Sequence, residues 1–125
     1  MNAAAKKNHA LTHTKAVVWL YQNQPSFNWL VDFNIHVTFD DEGYILRPDI
    51  VGEDKKTGQY QVFVEISDST LSKDMGKKAD IYAAQGIESY IVVDCKAKKV
   101  IQHQLSGKGY IEQEVFAGMD GLFEV

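Results

Sequence analysis

The chain has 125 residues, 45% of them hydrophobic, and two prolines; this suffices for one buried core and leaves no room for a second, so residues 1–125 are expected to form a single domain. A formal net charge of −4 argues against a general polyanion binder, because affinity for nucleic acid comes largely from Lys and Arg neutralising phosphates. The Ala- and Lys-rich start, Met1 to Lys7, leads into no apolar stretch long enough for a signal sequence or a membrane span, which predicts a cytoplasmic protein with no membrane contact, and one cysteine, Cys95, excludes an internal disulfide.

From about Asn8 to Asn23, Leu11, Val17, Val18, Leu20 and Tyr21 recur at helical spacing, and Pro25 follows, which predicts a first helix. Phe33 to Phe39 sets Phe33, Ile35, Val37 and Phe39 against Asn34, His36 and Thr38, the period of a strand. The acidic turn Asp40-Asp41-Glu42-Gly43 predicts a hairpin into a strand from Tyr44 to Val51, and the polar loop Glu53 to Gly58 leads to another from Tyr60 to Ser67. Ser72 is placed to cap a second helix over Lys73 to Gln85, stopped by Gly86. Strands follow over Ser89–Val93, Lys99–Leu105, Tyr110–Phe116 and Leu122–Val125, punctuated by glycines. Three strands joined by short loops, then one reached through a helix, give an α/β (α+β) fold: a mixed β-sheet flanked by helices.

Within Gln61 to Ser67, Val62, Val64 and Ile66 point one way, while Gln61, Phe63, Glu65 and Ser67 point the other. Glu is depleted in strands and an unpaired buried charge is costly, so Glu65 sits on a solvated face, in a salt bridge, or in a site. Alone, Asp49 after Pro48 is ordinary turn chemistry. The two acids lie in segments joined by one loop, and side by side they make a hard oxygen site suited to Mg²⁺, which binds through one or two carboxylates, waters and substrate phosphate. On the second helix, at about 100° per residue, Leu71, Met75, Lys78 and Tyr82 fall on one stripe, while Lys77 points toward solvent. An inward lysine is accounted for by buried carboxylates, by pairing with Asp74 one turn earlier, or by its stem lying along the stripe.

Four blocks carry a resemblance. Arg47-Pro48-Asp49-Ile50-Val51, then Val64-Glu65-Ile66-Ser67-Asp68-Ser69-Thr70, then Lys73-Asp74-Met75-Gly76-Lys77-Lys78, and then Tyr82 through Asp94 resemble the Uma2 family, the DUF820 group of restriction-endonuclease-like proteins within the PD-(D/E)XK nuclease superfamily. The resemblance implies a restriction-endonuclease-like core and Mg²⁺-dependent hydrolysis of DNA phosphodiester bonds, with Mn²⁺ as an alternative ion and no organic cofactor. Asp49 and Glu65 correspond to the metal-binding carboxylates. The superfamily lysine usually stands two residues after the second carboxylate, where this chain has Ser67; the family's helix segment places it on Lys78, with Asp74 as the accompanying acid. The family histidine of the first helix falls on His9 or His13. A nuclease-fold protein that binds nucleic acid or serves in an assembly without cutting is the alternative reading.

A homodimer is expected, because a domain this small spans little DNA and two-fold symmetry is the simplest way to cut two strands. His9 and His13 share a helical face, but without a third ligand they read as an exposed face rather than a zinc site. His36 and His103 read as surface histidines, and Cys95 as inert core. Trp19, Trp29, Phe27 and Tyr21 read as core or dimer surface, and Lys96, Lys98 and Lys99 as a solvated turn. No phosphate-binding glycine loop, dinucleotide fingerprint or nucleophile elbow occurs.

Overall fold

The computed structural model describes residues 3–67, 75–107 and 109–114. The elements in chain order are α1 (Ala3–Asn23), β1 (Phe27–Val31), β2 (Ile35–Phe39), β3 (Glu42–Leu46), β4 (Ile50–Asp54), β5 (Tyr60–Ser67), α2 (Met75–Ala84), β6 (Ser89–Asp94), β7 (Lys99–Ser106) and β8 (Gly109–Glu114). Six strands form one sheet in the order β1-β4-β5-β6-β7-β8, and β2 and β3 form a separate hairpin. All neighbours in the main sheet are antiparallel except β5 and β6, which run parallel because α2 carries the chain back between them. The mixed α+β fold expected from the strand and helix pattern is the one observed.

The alternation along β5 divides the core into two layers. Val62, Val64 and Ile66 pack with Ile50, Ile91, Val93 and the α1 residues Ala16 and Leu20. Phe63 packs on the other face with Val51, Tyr90, Val92 and the α2 residues Ile81 and Tyr82, over which the β2–β3 hairpin lays Ile35, Val37 and Leu46. Burial of these side chains on both faces is the main source of stability, at roughly 25 cal/mol per Å² of apolar surface removed from water. The hairpin is tied down at one point by Gln85 Nε2, which donates to Thr38 O at 3.2 Å.

Several local expectations need correction. The single strand expected over Tyr44–Val51 is two strands in two sheets, because Pro48 has no N–H for a ladder and the chain turns through Arg47-Pro48-Asp49 from the hairpin into the main sheet. The edge strand β1 was not anticipated; it pairs antiparallel with β4. The buried stripe of α1 runs through Thr12, Ala16 and Leu20, whereas Leu11, Val18 and Tyr21 are exposed. The hairpin turn consists of Asp40 and Asp41 alone, both left-handed at φ 53° and 61°, a conformation that Asp tolerates better than most residues. His103 is buried rather than at the surface: its ring stacks on Tyr90 at 5.3 Å, and its Nδ1 donates to Tyr90 O at 3.0 Å. The expected cap Ser72, the stripe residue Leu71, the acid Asp74 and the terminal strand Leu122–Val125 lie outside the described residues.

Candidate active site

Asp49 immediately precedes β4. Ile50 pairs with Val64, and carrying that register one residue further sets Asp49 opposite Glu65 on the α2 face of the sheet. The side chain of Asp49 accepts the main-chain N–H of Ile66 through Oδ2 at 2.7 Å. Its conformation is therefore fixed against the segment that carries Glu65.

Glu65 lies on the same face as Phe63, where strand alternation puts it, with 17% of its side chain exposed. Oε1 accepts the Tyr82 hydroxyl at 2.8 Å and Oε2 the Tyr90 hydroxyl at 3.0 Å. Lys78 reaches the same carboxylate from α2, its Nζ at 3.4 Å from Oε1 and 3.3 Å from Oε2. Tyr82 follows Lys78 by four residues, so one helical face delivers both groups. Lys78 itself is 46% exposed, and a pair so open to water contributes about 0–1 kcal/mol to stability. The phenols are different. Tyr82 and Tyr90 are 2% and 1% exposed, and their hydroxyls are pushed well above the ordinary tyrosine pKa, first by burial and then by the negative charge of Glu65 and the hydrogen bond to it. Asp49 adds to the upward push on Tyr90, which places both carboxylates within electrostatic reach of one phenol. Both tyrosines thus remain protonated donors.

A cleft of ≈ 340 Å³ opens onto this group between the hairpin and α2, lined by Tyr44, Leu46, Arg47, Glu65, Lys77, Lys78 and Tyr82 among others. Lys77, which helical phase directed toward solvent, stands with its ammonium 5.1 Å from the centre of the Tyr44 ring. Among the described residues, Arg47, Lys77 and Lys78 therefore border a cleft in a chain whose net charge is negative.

Of the residues singled out in the sequence, the structure brings together Glu65, Lys78 and the Asp49 backbone position opposite Glu65. Ser67 ends β5 on the face of Glu65, and Asp74 lies outside the described residues. The hydroxyl partners Tyr82 and Tyr90 and the cleft residues Arg47 and Lys77 were not anticipated. Tyr82 was read as part of the inward helical stripe and of the fourth family block, with no role for its hydroxyl; two tyrosines at otherwise apolar positions near an inward acid are the signal that was there to find.

A hard divalent cation fits the donor set. Asp49 and Glu65, opposed on adjacent segments, would offer carboxylate oxygens, and among the described residues no group of three or more His, Cys, Asp or Glu offers a fuller protein cage. Mg²⁺ characteristically uses one or two carboxylates and completes its shell with water and phosphate.

The architecture is that of a nuclease fold. A crystal structure of "a putative nuclease belonging to DUF820 from Anabaena variabilis ATCC 29413" superposes with a TM-score of 0.59 at 13% sequence identity, covering 93% of this chain and 80% of that one. The chain belongs to the Uma2 family, described as "Putative restriction endonuclease", whose profile matches residues 3–123. No curated protein matches the chain. The fold and family that the four sequence blocks pointed to are thereby established, and no described helix is long and apolar enough to cross a membrane.

Proposed function

We propose that this chain is a metal-dependent endonuclease that hydrolyses phosphodiester bonds in DNA, with Asp49 and Glu65 holding Mg²⁺, or Mn²⁺ in its place, and Lys78 acting on the reacting group. The observation that carries the reading is the meeting of Glu65 and Lys78 at 3.3 Å at the mouth of a cation-bordered cleft, with Asp49 opposite in register. Family membership supports the coarser reading, a nuclease acting on nucleic acid.

When bound, the ion supplies Lewis acidity toward the phosphoryl group. Asp49 and Glu65 orient their oxygens from a rigid sheet, which fixes where the scissile phosphate lies. Lys78 donates from the solvent side of the site, where its ammonium orients the attacking water and stabilises negative charge developing on the phosphate oxygens. Arg47 and Lys77 contact neighbouring phosphates and hold the strand in register, a task that carries no sequence information. Two copies related by a two-fold axis cut the two strands; a monomeric mass in solution at working concentration would count against this arrangement.

That Lys78, Tyr82 and Tyr90 all donate to Glu65 favours a second reading, in which the same residues form a structural network and the protein binds nucleic acid without cutting. Purified protein incubated with supercoiled DNA and Mg²⁺ separates the two. Nicking by the wild type, lost in Asp49→Asn and Glu65→Gln, supports the endonuclease. Salt-sensitive binding with no nicking supports the second reading. Equal cleavage by the wild type and both variants rules out this site.

A further inference from the structure

We infer that Tyr82 and Tyr90 are positioning residues for Glu65: they fix both oxygens of its carboxylate, so that Lys78 is free to leave Glu65 for the substrate without disturbing it. The inference rests on the reading of Glu65 as an ion-holding acid.

Each phenol takes a different oxygen, Tyr82 from α2 and Tyr90 from β6, at 2.8 and 3.0 Å. Two donors on opposite oxygens define the plane of a carboxylate, and any turn about its last bond breaks both. One donor would leave that rotation open. The donors themselves cannot swing away, because their rings are packed in series. Phe63 meets Tyr82 edge-on at 4.8 Å, Tyr82 meets Tyr90 edge-on at 5.0 Å, and His103 stacks on the far side of the series at 5.3 Å from Tyr90. His103 also bonds the Tyr90 carbonyl, and Tyr110 contributes a further edge contact at 6.4 Å. A buried hydroxyl needs a partner, so one such bond would be unremarkable. Two phenols from different elements converging on one acid, each about 1–2% exposed, make a built support.

Lys78 contrasts with them in every respect. Its contacts are longer at 3.3 and 3.4 Å, shared between the two oxygens, and made by a side chain nearly half exposed. A flexible ammonium supplies charge but little direction. With Glu65 held by the phenols, exchange of the ammonium for an incoming cation or phosphate costs no reorganisation of the acid. Outer residues that orient a metal ligand typically change affinity about 10- to 100-fold when removed.

The test uses the full chain and Tyr82→Phe, Tyr90→Phe, their combination, Lys78→Met and Glu65→Gln. The Phe variants keep the ring packing and delete only the donors; circular dichroism checks their fold, and the single variants decide if the double does not fold. Mg²⁺ binding is measured by calorimetry without nucleic acid, and the position of Glu65 by crystallography. The expected result is about a tenfold or greater loss of Mg²⁺ affinity for each Phe variant, no loss for Lys78→Met, and an unmoved Glu65 carboxylate in the Lys78→Met crystal. Wild-type affinity in the Phe variants, with Glu65→Gln failing to bind, overturns the inference while sparing the ion site. Undiminished Mg²⁺ binding by Glu65→Gln overturns the ion site, and the crystals then decide: a carboxylate that turns away in the Phe variants but not in Lys78→Met supports the positioning role, and one that behaves the other way removes it.

Discussion

Asp49 accepts the Ile66 N–H at 2.7 Å, so the side chain ahead of β4 is bonded to the residue next to Glu65 in β5. The same carboxylate thus has a structural duty beside the proposed chemical one, and the two can be separated. Asp49→Ala removes the acceptor of a part-buried N–H and is expected to cost about 1–3 kcal/mol in urea unfolding. Asp49→Asn keeps an oxygen at that place and is expected to retain most of the stability while losing cleavage. If Asp49→Asn unfolds as readily as Asp49→Ala and both still nick DNA, the residue is purely structural.

What could be read in the sequence follows the strength of each periodicity. The period of two along Gln61–Ser67 fixes which face carries Glu65, since a shift of one residue would move Val62, Val64 and Ile66 together out of the α1 layer and turn Glu65 into it. Helical phase separates Lys78 from Lys77 in the same way. By contrast, β1 reads Phe27-Asn28-Trp29-Leu30-Val31, with no alternation over its last three residues, and its pairing to β4 is a long-range event that local pattern cannot show. The Tyr90 hydroxyl that meets Glu65 depends on the same kind of information. Tyr90 comes to Glu65 only because β5 and β6 run parallel with Phe63 beside Tyr90 and Glu65 beside Val92. Pro48 was a legible break, and taken at its face value it divides Tyr44–Val51 where the structure does.

The cleft cations have a measurable signature. With cleavage silenced by Glu65→Gln, Arg47→Ala and Lys77→Ala are each expected to weaken DNA binding to a similar degree on all sequences. Each is also expected to reduce the dependence of log K on log salt by about 0.9. Fluorescence anisotropy across a salt series gives the slope. Unchanged slopes in both variants would place the DNA elsewhere.

Stability at high pH follows from the buried phenols. Tyr110 donates to Ile87 O at 2.6 Å, and burial pushes its hydroxyl up to about 12, above the ordinary tyrosine pKa. A group whose folded pKa exceeds its unfolded value contributes stability in full below the unfolded value and loses it as pH rises through the folded one. Unfolding free energy is therefore expected to fall between about pH 10 and pH 12, where the unfolded chain gives up its phenol protons and the folded chain retains them. Tyr82 and Tyr90, raised in the same direction, steepen the fall. Denaturation at stepped pH, with phenolate absorbance as a second probe, checks this, and Tyr110→Phe is expected to shallow the slope. A stability that stays level over that window would show that these phenols ionise as freely folded as unfolded.

Gly52 answers to Trp29. The two are paired across β1 and β4, and a Cβ on Gly52 would stand 2.7 Å from Trp29 Cζ3 and 3.0 Å from both Trp29 Cη2 and Val62 Cβ. The indole is itself held, its Nε1 donating to Gln24 O at 3.0 Å, so it cannot easily withdraw. Gly52→Ala is expected to destabilise by about 1–3 kcal/mol, the usual range for forcing a methyl into packed space. Because Trp29 and Val62 belong to the α1 layer, on the opposite face of the sheet from Glu65, cleavage below the unfolding temperature should be unaffected. Trp29→Leu creates the missing room at its own cost in lost burial, so the double variant should be more stable than the sum of the two single losses predicts. Strict additivity in urea unfolding would mean that the clash is relieved by the backbone at the irregularity between Gly52 and Glu53 rather than by the indole.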